Sequence, residues 1–238
     1  MRKLRIVSFI ALTVAAFFSN ELLAQNTLTK AEQKAGWKLL FDGKTTKGWH
    51  TYNNKTLGQG WKVAGGVLYL DSSVKEGRGD ISTDAEYENF ELSLEWLIDS
   101  CGNSGIMYNV VEDAKYRAPY LTGPEMQIID NNCHPDAKNV KHRAGDFYDL
   151  IASNKETVKS LHEWNEARIV SNKGKMEFWL NGNKAVEVTM HTPEWDALVA
   201  GSKFKTMPDF GKAKKGHIVL QDHGDKVSFR NIKIREIK

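Results

Sequence analysis

The stretch GHIVLQDHG, residues 216–224, is an apolar strand pattern that closes on a glutamine, an aspartate and a histidine. Alternation along a strand places Val219, Gln221 and His223 on one face and Ile218, Leu220 and Asp222 on the other. The stretch GPEMQIID, 123–130, behaves in the same way, with Met126 and Ile128 on one face and Glu125 and Gln127 on the other. These polar residue types do specific work. Imidazole and carboxylate groups take and give protons, and side-chain amides hold hydroxyl groups by hydrogen bonds. A core does not tolerate such groups unpaired, so both faces meet either solvent or a polar cleft, and alternation alone favours solvent.

Directly after the Glu125/Gln127 strand, HPDAKNVKHRAGDFYDLI (134–151) gathers His134, Asp136, His142, Arg143, Asp146, Tyr148 and Asp149 in a loop-like segment. Polar loops set on a β scaffold are the usual home of binding chemistry, which shifts the reading toward a cleft, with plain solvated surface as the alternative. Glu125, His142 and His223 are the candidate ligands of a possible divalent cation, although no HExxH, CxxC or EF-hand spacing supports one. Cys101 and Cys133 match neither a zinc nor a redox motif; they form either one disulfide or two free thiols.

The elements that must position these groups are mostly strands. Hydrophobic residues make up 41% of the 238 residues and charged residues 26%, the balance of a folded soluble domain rather than of a disordered chain or a nucleic-acid binder. MRKLR followed by IVSFIALTVAAFF and NELLAQ has the three parts of a secretory signal peptide. We expect cleavage near Ala24, a periplasmic or secreted protein, and no membrane attachment of the mature chain. Removing Arg2, Lys3, Arg5 and Glu21 with that leader lowers the net charge from +3 to +1.

The rest, 25–238, reads as a single β-sandwich domain. FELSLEWLI (90–98) sets Phe90, Leu92, Leu94 and Trp96 against Glu91, Ser93 and Glu95. ARIVSNKGKMEFWLNGNKAVEV (167–188) holds three such runs divided by NKG and NGN, which are hairpin signals. GGVLYL (65–70), SGIMYNVV (104–111) and VSFRNIKIREI (227–237) continue the pattern, and only 29–37 and 192–200 suggest short helices. Short antiparallel strands at close intervals predict an all-β sandwich or barrel.

FDGKTTKGW (41–49), FELSLEW (90–96), CGNSGIMY (101–108), GPEMQIID (123–130), HRAGDFYDLI (142–151), FWLNGNKAVEV (178–188) and GHIVLQDHGDKVSFRNIKIREI (216–237) occur in that order. Together they resemble the 3-keto-disaccharide hydrolase domain family over roughly 36–238. The resemblance implies a concanavalin A-like jelly-roll sandwich of two curved antiparallel sheets, with sugar on the hollow one. It also implies cleavage of glycosides already oxidised at C3. A C3 ketone acidifies the C2 proton; a base removes it, the enolate expels the C1 substituent, and water adds to the enone.

On that resemblance His223, Glu125 and His142 are the catalytic candidates. Gln127, Gln221, Arg143, Tyr148, Tyr108, Glu95 and Trp49 are the substrate-binding ones, with Arg143 or a cation at the enolate oxygen. His142 and Arg143 fit a surface latch as well, and Tyr148 and Trp49 fit core packing as well as a stacking platform. Asn109 stands where many relatives carry arginine. Two other functions fit a sandwich. One is hydrolysis of unoxidised glycans by two carboxylates, although Glu125 and Asp130 fall on opposite faces of a regular strand. The other is a carbohydrate-binding module without catalysis.

Overall fold

Period-two runs become strands where one side of each can be buried, and most of the runs above do so. The computed structural model describes residues 25–238, so the leader expected over 1–24 lies outside the described residues. In chain order the strands are β1 (Lys38–Leu39), β2 (Trp49–Thr51), β3 (Trp61–Ala64), β4 (Val67–Leu70), β5 (Ile81–Tyr87), β6 (Phe90–Ile98), β7 (Asn103–Val110), β8 (Glu125–Ile129), β9 (Asn165–Asn172), β10 (Lys175–Leu180), β11 (Asn183–Thr189), β12 (Gly216–Leu220) and β13 (Val227–Glu236). They form an eight-stranded sheet in the order β11-β10-β9-β6-β13-β4-β3, with β1 also paired to β13, and a five-stranded sheet in the order β2-β5-β12-β7-β8. Every pairing in both sheets is antiparallel. The result is an all-β, concanavalin A-like jelly-roll sandwich.

Turn chemistry fixes the register of the β9–β10–β11 meander. Lys173 and Gly174 both have positive φ, as do Asn181 and Gly182. Two consecutive left-handed residues make the type I′ turn whose twist matches paired strands, and the ladders close tightly at Lys175↔Asn172 and Leu180↔Asn183. The two short helices are α1 (Lys30–Lys34), closed by a Thr29/Glu32 capping box, and α2 (Pro193–Ala200), capped by Thr192.

The core lies between the sheets. Phe90, Leu92, Leu94, Trp96, Phe178 and Phe229 from the large sheet meet Ile81, Ile106, Tyr108, Met126, Ile128, Ile218 and Leu220 from the small one. Burial of each large side chain is worth roughly 1.5–3 kcal/mol. Across the small sheet, on its other face, Met107, Val110 and Val219 form a separate apolar patch with Tyr52 and Tyr120. That second face carries the site.

Three features of the site region depart from simple strand alternation. β12 ends at Leu220, because Asp222 turns the chain: its backbone N–H donates to Asp80 Oδ1 at 2.8 Å and its own Oδ1 accepts from the Gly224 N–H at 3.0 Å. His223 therefore stands on a turn. Secondly, the loop after β8 returns along that edge strand. Tyr148 N–H donates to Glu125 O, Gln127 N–H to Asp146 O, and Gly145 N–H to Gln127 O, covering an edge that would otherwise be open. Thirdly, Cys101 and Cys133 form a disulfide with Cα atoms 4.7 Å apart, which ties the start of that loop to the entry of β7. Among the described residues no helix is long and apolar enough to cross a membrane.

Candidate functional site

On the second face of the small sheet a cavity of about 340 Å³ is lined by Asn103, Tyr120, Glu125, Gln127, Tyr148, Lys203, Phe204, Met207, Gln221 and His223. Its size is at the lower end of the roughly 300–1,000 Å³ of ligand pockets. Hollows of about 450 and 520 Å³ lie elsewhere, beside His191. The smaller cavity is the better site because it combines a buried carboxyl group, an ammonium group beside it and two orphaned acceptors. Asn103 Oδ1 and Gln221 Oε1 are buried with no hydrogen-bond partner. An unmatched buried acceptor costs about 1–3 kcal/mol, which a ligand hydroxyl group would relieve.

Glu125 is the deepest ionisable group there, 6% exposed. Parity on β7 sends Ile106 and Tyr108 into the core and leaves Asn103, Gly105 and Met107 toward the cavity side. The Glu125 side chain lies across the strand at Gly105, where a Cβ would sit 1.9 Å from Glu125 Oε1. Glycine at 105 thus makes room for the carboxyl group. Burial pushes Glu125 up to about 8, with the Lys203 ammonium acting in the opposite direction and the Asp80 and Asp136 carboxylates adding to the rise. Asp80, beneath the Asp222 turn, is itself pushed up to about 7 by burial. Burial lowers Lys203 from the usual lysine range, while Glu125, Asp149 and Asp136 hold it up.

Lys203 is placed by a framework behind the cavity wall. It opens a short 3-10 helix, Lys203–Thr206, and its backbone N–H donates to Asp149 Oδ2 at 2.7 Å. Its ammonium lies 3.9 Å from the centre of the Tyr148 ring, a cation–π contact. The Tyr148 hydroxyl donates to Asp136 Oδ2 at 2.9 Å. Between Asp136 and Asp149 sits His142, with Nδ1 2.8 Å from the former, Nε2 2.8 Å from the latter and its ring 4.3 Å from that of Tyr148.

The structure therefore brings Glu125, Gln127, Gln221, His223 and Tyr148 together around one cavity. The other candidates stand elsewhere. Both nitrogens of His142 are occupied by carboxylates, so it braces Tyr148 and Lys203 from behind. Arg143 pairs outward with Glu156 at 3.0 Å and lines no part of the cavity, which leaves Lys203 as the cation there. Tyr108 is wholly buried by its strand parity and packs on Phe90, Phe147 and Phe178. Trp49 is a core residue whose indole N–H donates to Leu40 O at 2.7 Å. Glu95 lies on the outer face of the eight-stranded sheet, held by Arg230 at 2.6 Å and Asn231 at 2.9 Å. Asn109, with φ of 52°, breaks the alternation of β7, and its amide donates to Ala213 O beside the 450 Å³ hollow.

The cation candidates Glu125, His142 and His223 do not assemble as a set. Among the described residues, His223 groups instead with His134 and Asp225, one ligand atom from each lying within 4.8 Å of the others. Sequence reasoning passed over Lys203, Asn103 and Asp225. Parity with Gly105 would have found Asn103; nothing local marks Lys203, which follows a helix far along the chain.

Residues 36–235 match the family described as 3-keto-alpha-glucoside-1,2-lyase-like domain. A Bacteroides thetaiotaomicron protein named 3-keto-disaccharide hydrolase is 32% identical over 250 aligned positions, covering 93% of this chain and 86% of that protein. A crystal structure of a candidate glycosyl hydrolase from Parabacteroides distasonis superposes with a TM-score of 0.82 at 34% identity, covering 90% of this chain and all of that one. A second from the same organism gives 0.62 at 29% identity, covering 84% and 99%.

Proposed function

Since this chain belongs to the 3-keto-alpha-glucoside-1,2-lyase-like family, we propose that its 340 Å³ cavity cleaves glycosides whose sugar already carries a ketone at C3. The observation that carries this reading is Glu125: a buried carboxyl group pushed up to about 8, facing the cavity beside an ammonium group. A C–H bond next to a ketone is a weak acid, so the best base is one whose own pKa is near or just above the working pH. An ordinary carboxylate is too weak. At pH 7 about a tenth of Glu125 is ionised, and that fraction is a far stronger base than a solvent-exposed glutamate.

The steps balance within the cavity. Ionised Glu125 takes the C2 proton, and the C–H electron pair forms the C2=C3 enolate. The Lys203 ammonium stabilises the negative charge on the C3 oxygen. The enolate then reforms the ketone and expels the C1 oxygen, leaving a C1=C2 enone, while the proton held by Glu125 passes to the departing alcohol. Addition of water, hydroxyl to C1 and hydrogen to C2, completes net hydrolysis. Gln127, Gln221 and Asn103 hold sugar hydroxyl groups, and Tyr148, Tyr120 and Phe204 supply apolar walls.

Export to an oxidising compartment is part of the same proposal. The Cys101–Cys133 disulfide supports it, since such bonds persist outside the cytosol. The direct test is incubation with a matched pair of sugars. A 3-keto-glucoside should lose its aglycone while the parent glucoside stays intact. Cleavage of the parent alone would instead favour two-carboxylate hydrolysis, and binding without cleavage of either would favour a carbohydrate-binding module.

A further inference from the structure

We propose that the 450 Å³ hollow beside His191 is a second carbohydrate site, which takes a sugar acid of the hexuronate class through Asn109, Lys173 and Lys214. It shares no lining residue with the Glu125 cavity, so the inference does not require the 3-keto chemistry proposed above.

Asn109 carries the argument. It is 3% exposed, it lines the hollow, and its Oδ1 is buried with no hydrogen-bond partner. Its Nδ2 donates to Ala213 O at 3.1 Å, which orients the amide and leaves Oδ1 as the free end. A buried acceptor without a donor is costly, so this position calls for a ligand that brings an O–H or N–H group. Charge is an independent observation. Lys173 and Lys214 are exposed lining residues, and neither forms an ion pair among the described residues. Glu88 is the one carboxylate in the lining, so a negatively charged group on the ligand is favoured there.

The two requirements together select a class. Acetate or sulfate brings charge but no donor for Asn109. A neutral sugar brings hydroxyl groups but leaves both ammonium groups unused. An amino acid carries its donor on a cation, which the lysines repel. A hexuronate has hydroxyl groups and a carboxylate on one ring, and the buried Met176 and Met190 offer its C–H face an apolar wall. Ser171 Oγ, already donating to Glu88 O at 2.9 Å, keeps a lone pair for a second sugar hydroxyl.

The walls are held in place without a ligand. Lys173 lies in the β9–β10 turn, where its backbone N–H donates to Asn89 Oδ1 at 2.6 Å. The Met190 N–H donates to Gly174 O at 2.8 Å, which fastens the exit of β11 to the same turn. Thr192, next along the wall, caps α2. Little binding energy is therefore lost to ordering the backbone.

The test is an NMR titration of the full chain with sodium glucuronate, with glucose and acetate as matched controls. We expect saturable binding of glucuronate, a shift of the Asn109 side-chain amide resonances, and clearly weaker binding of both controls. Glu125→Gln should bind glucuronate as wild type does, which separates this hollow from the Glu125 cavity. Replacing Lys173 and Lys214 together with glutamine should weaken glucuronate ~3–10-fold, and Asn109→Ala should weaken it by a similar factor. If Asn109→Ala fails to fold, the Asn109 shift in the wild-type chain decides. Acetate binding as tightly as glucuronate would mean an adventitious anion only, and glucose binding as tightly would remove the acid from the assignment. Either result, an Asn109 amide unmoved at saturation, or unaltered affinity in the folded lysine variant would overturn the proposal.

Discussion

Replacing Glu125 with glutamine separates stability from chemistry in opposite directions. The carboxyl group is about 8 in the folded chain against 4.5 when free. Below about pH 4.5 it is protonated in both states and makes no difference to stability. As pH rises, the unfolded chain releases the proton while the folded chain keeps it, so stability falls until the folded group ionises near pH 8 and is then level. At 1.36 kcal/mol per unit, that loss is about 3 kcal/mol at pH 7 and about 5 kcal/mol above pH 8. Glutamine has the same shape and no proton to lose. Asp80 and Asp146, raised by burial to about 7 and about 6, slope the curves in the same direction but do so in both proteins.

The difference between wild type and Glu125→Gln therefore isolates Glu125. Urea unfolding at pH 5, 7 and 9 should show the variant gaining on wild type with each step, by about 3 kcal/mol at pH 7, or roughly 6–12 °C in melting temperature. Turnover of a 3-keto-glucoside should meanwhile fall by ~10²–10⁴. Parallel stability curves from pH 5 to 9 would mean that Glu125 is not a raised acid, and the reasoning from burial to base would fail.

Lys203→Met should lower kcat by ~10²–10³ through loss of enolate stabilisation. It should also move the rising limb of the pH–rate profile, which levels off near pH 8, upward, because the ammonium group holds Glu125 down; a limb that stays in place would separate the two residues. Gly105→Ala puts a Cβ 1.9 Å from Glu125 Oε1, so the carboxyl group must swing into the cavity. We expect a folded protein by circular dichroism whose kcat is depressed at least ~10-fold, and an unchanged kcat would show that the position of Glu125 is not critical. Replacing Cys101 and Cys133 together with alanine opens a cross-link spanning 32 residues and should cost about 3–4 kcal/mol in denaturant titrations. Equal stability would assign the loop's order to its hydrogen bonds alone.

Alternation made Glu125 and Gln127 legible as a pair, because β8 is regular and its other face is core. It also separated the inward row Phe90, Leu92, Leu94 and Trp96 from Glu91, Ser93 and Glu95. For His223 alternation is the wrong rule, since the chain turns at Asp222, and the residue meets the cavity from a turn held by Asp80 and Arg78. Tyr108 and Trp49 entered as substrate-binding candidates by resemblance alone. In β7 the parity of Tyr108 with Ile106 already marked a core residue. Lys203 was hidden for a different reason. Its place depends on the Asp149–His142–Asp136 framework, a set of contacts between distant segments that no local periodicity encodes. Cys101 and Cys133 needed coordinates, because spacing alone permits either a bond or two thiols.

Turnover of a 3-keto-glycoside in D₂O, followed by NMR at C2 of the released sugar, tests proton abstraction most directly. Removal of the C2 proton by Glu125 predicts that enzyme-formed product carries deuterium at C2 well beyond the exchange seen without enzyme or with Glu125→Gln. Product released at full rate with its original C2 proton retained would contradict it, since displacement at C1 leaves that bond untouched.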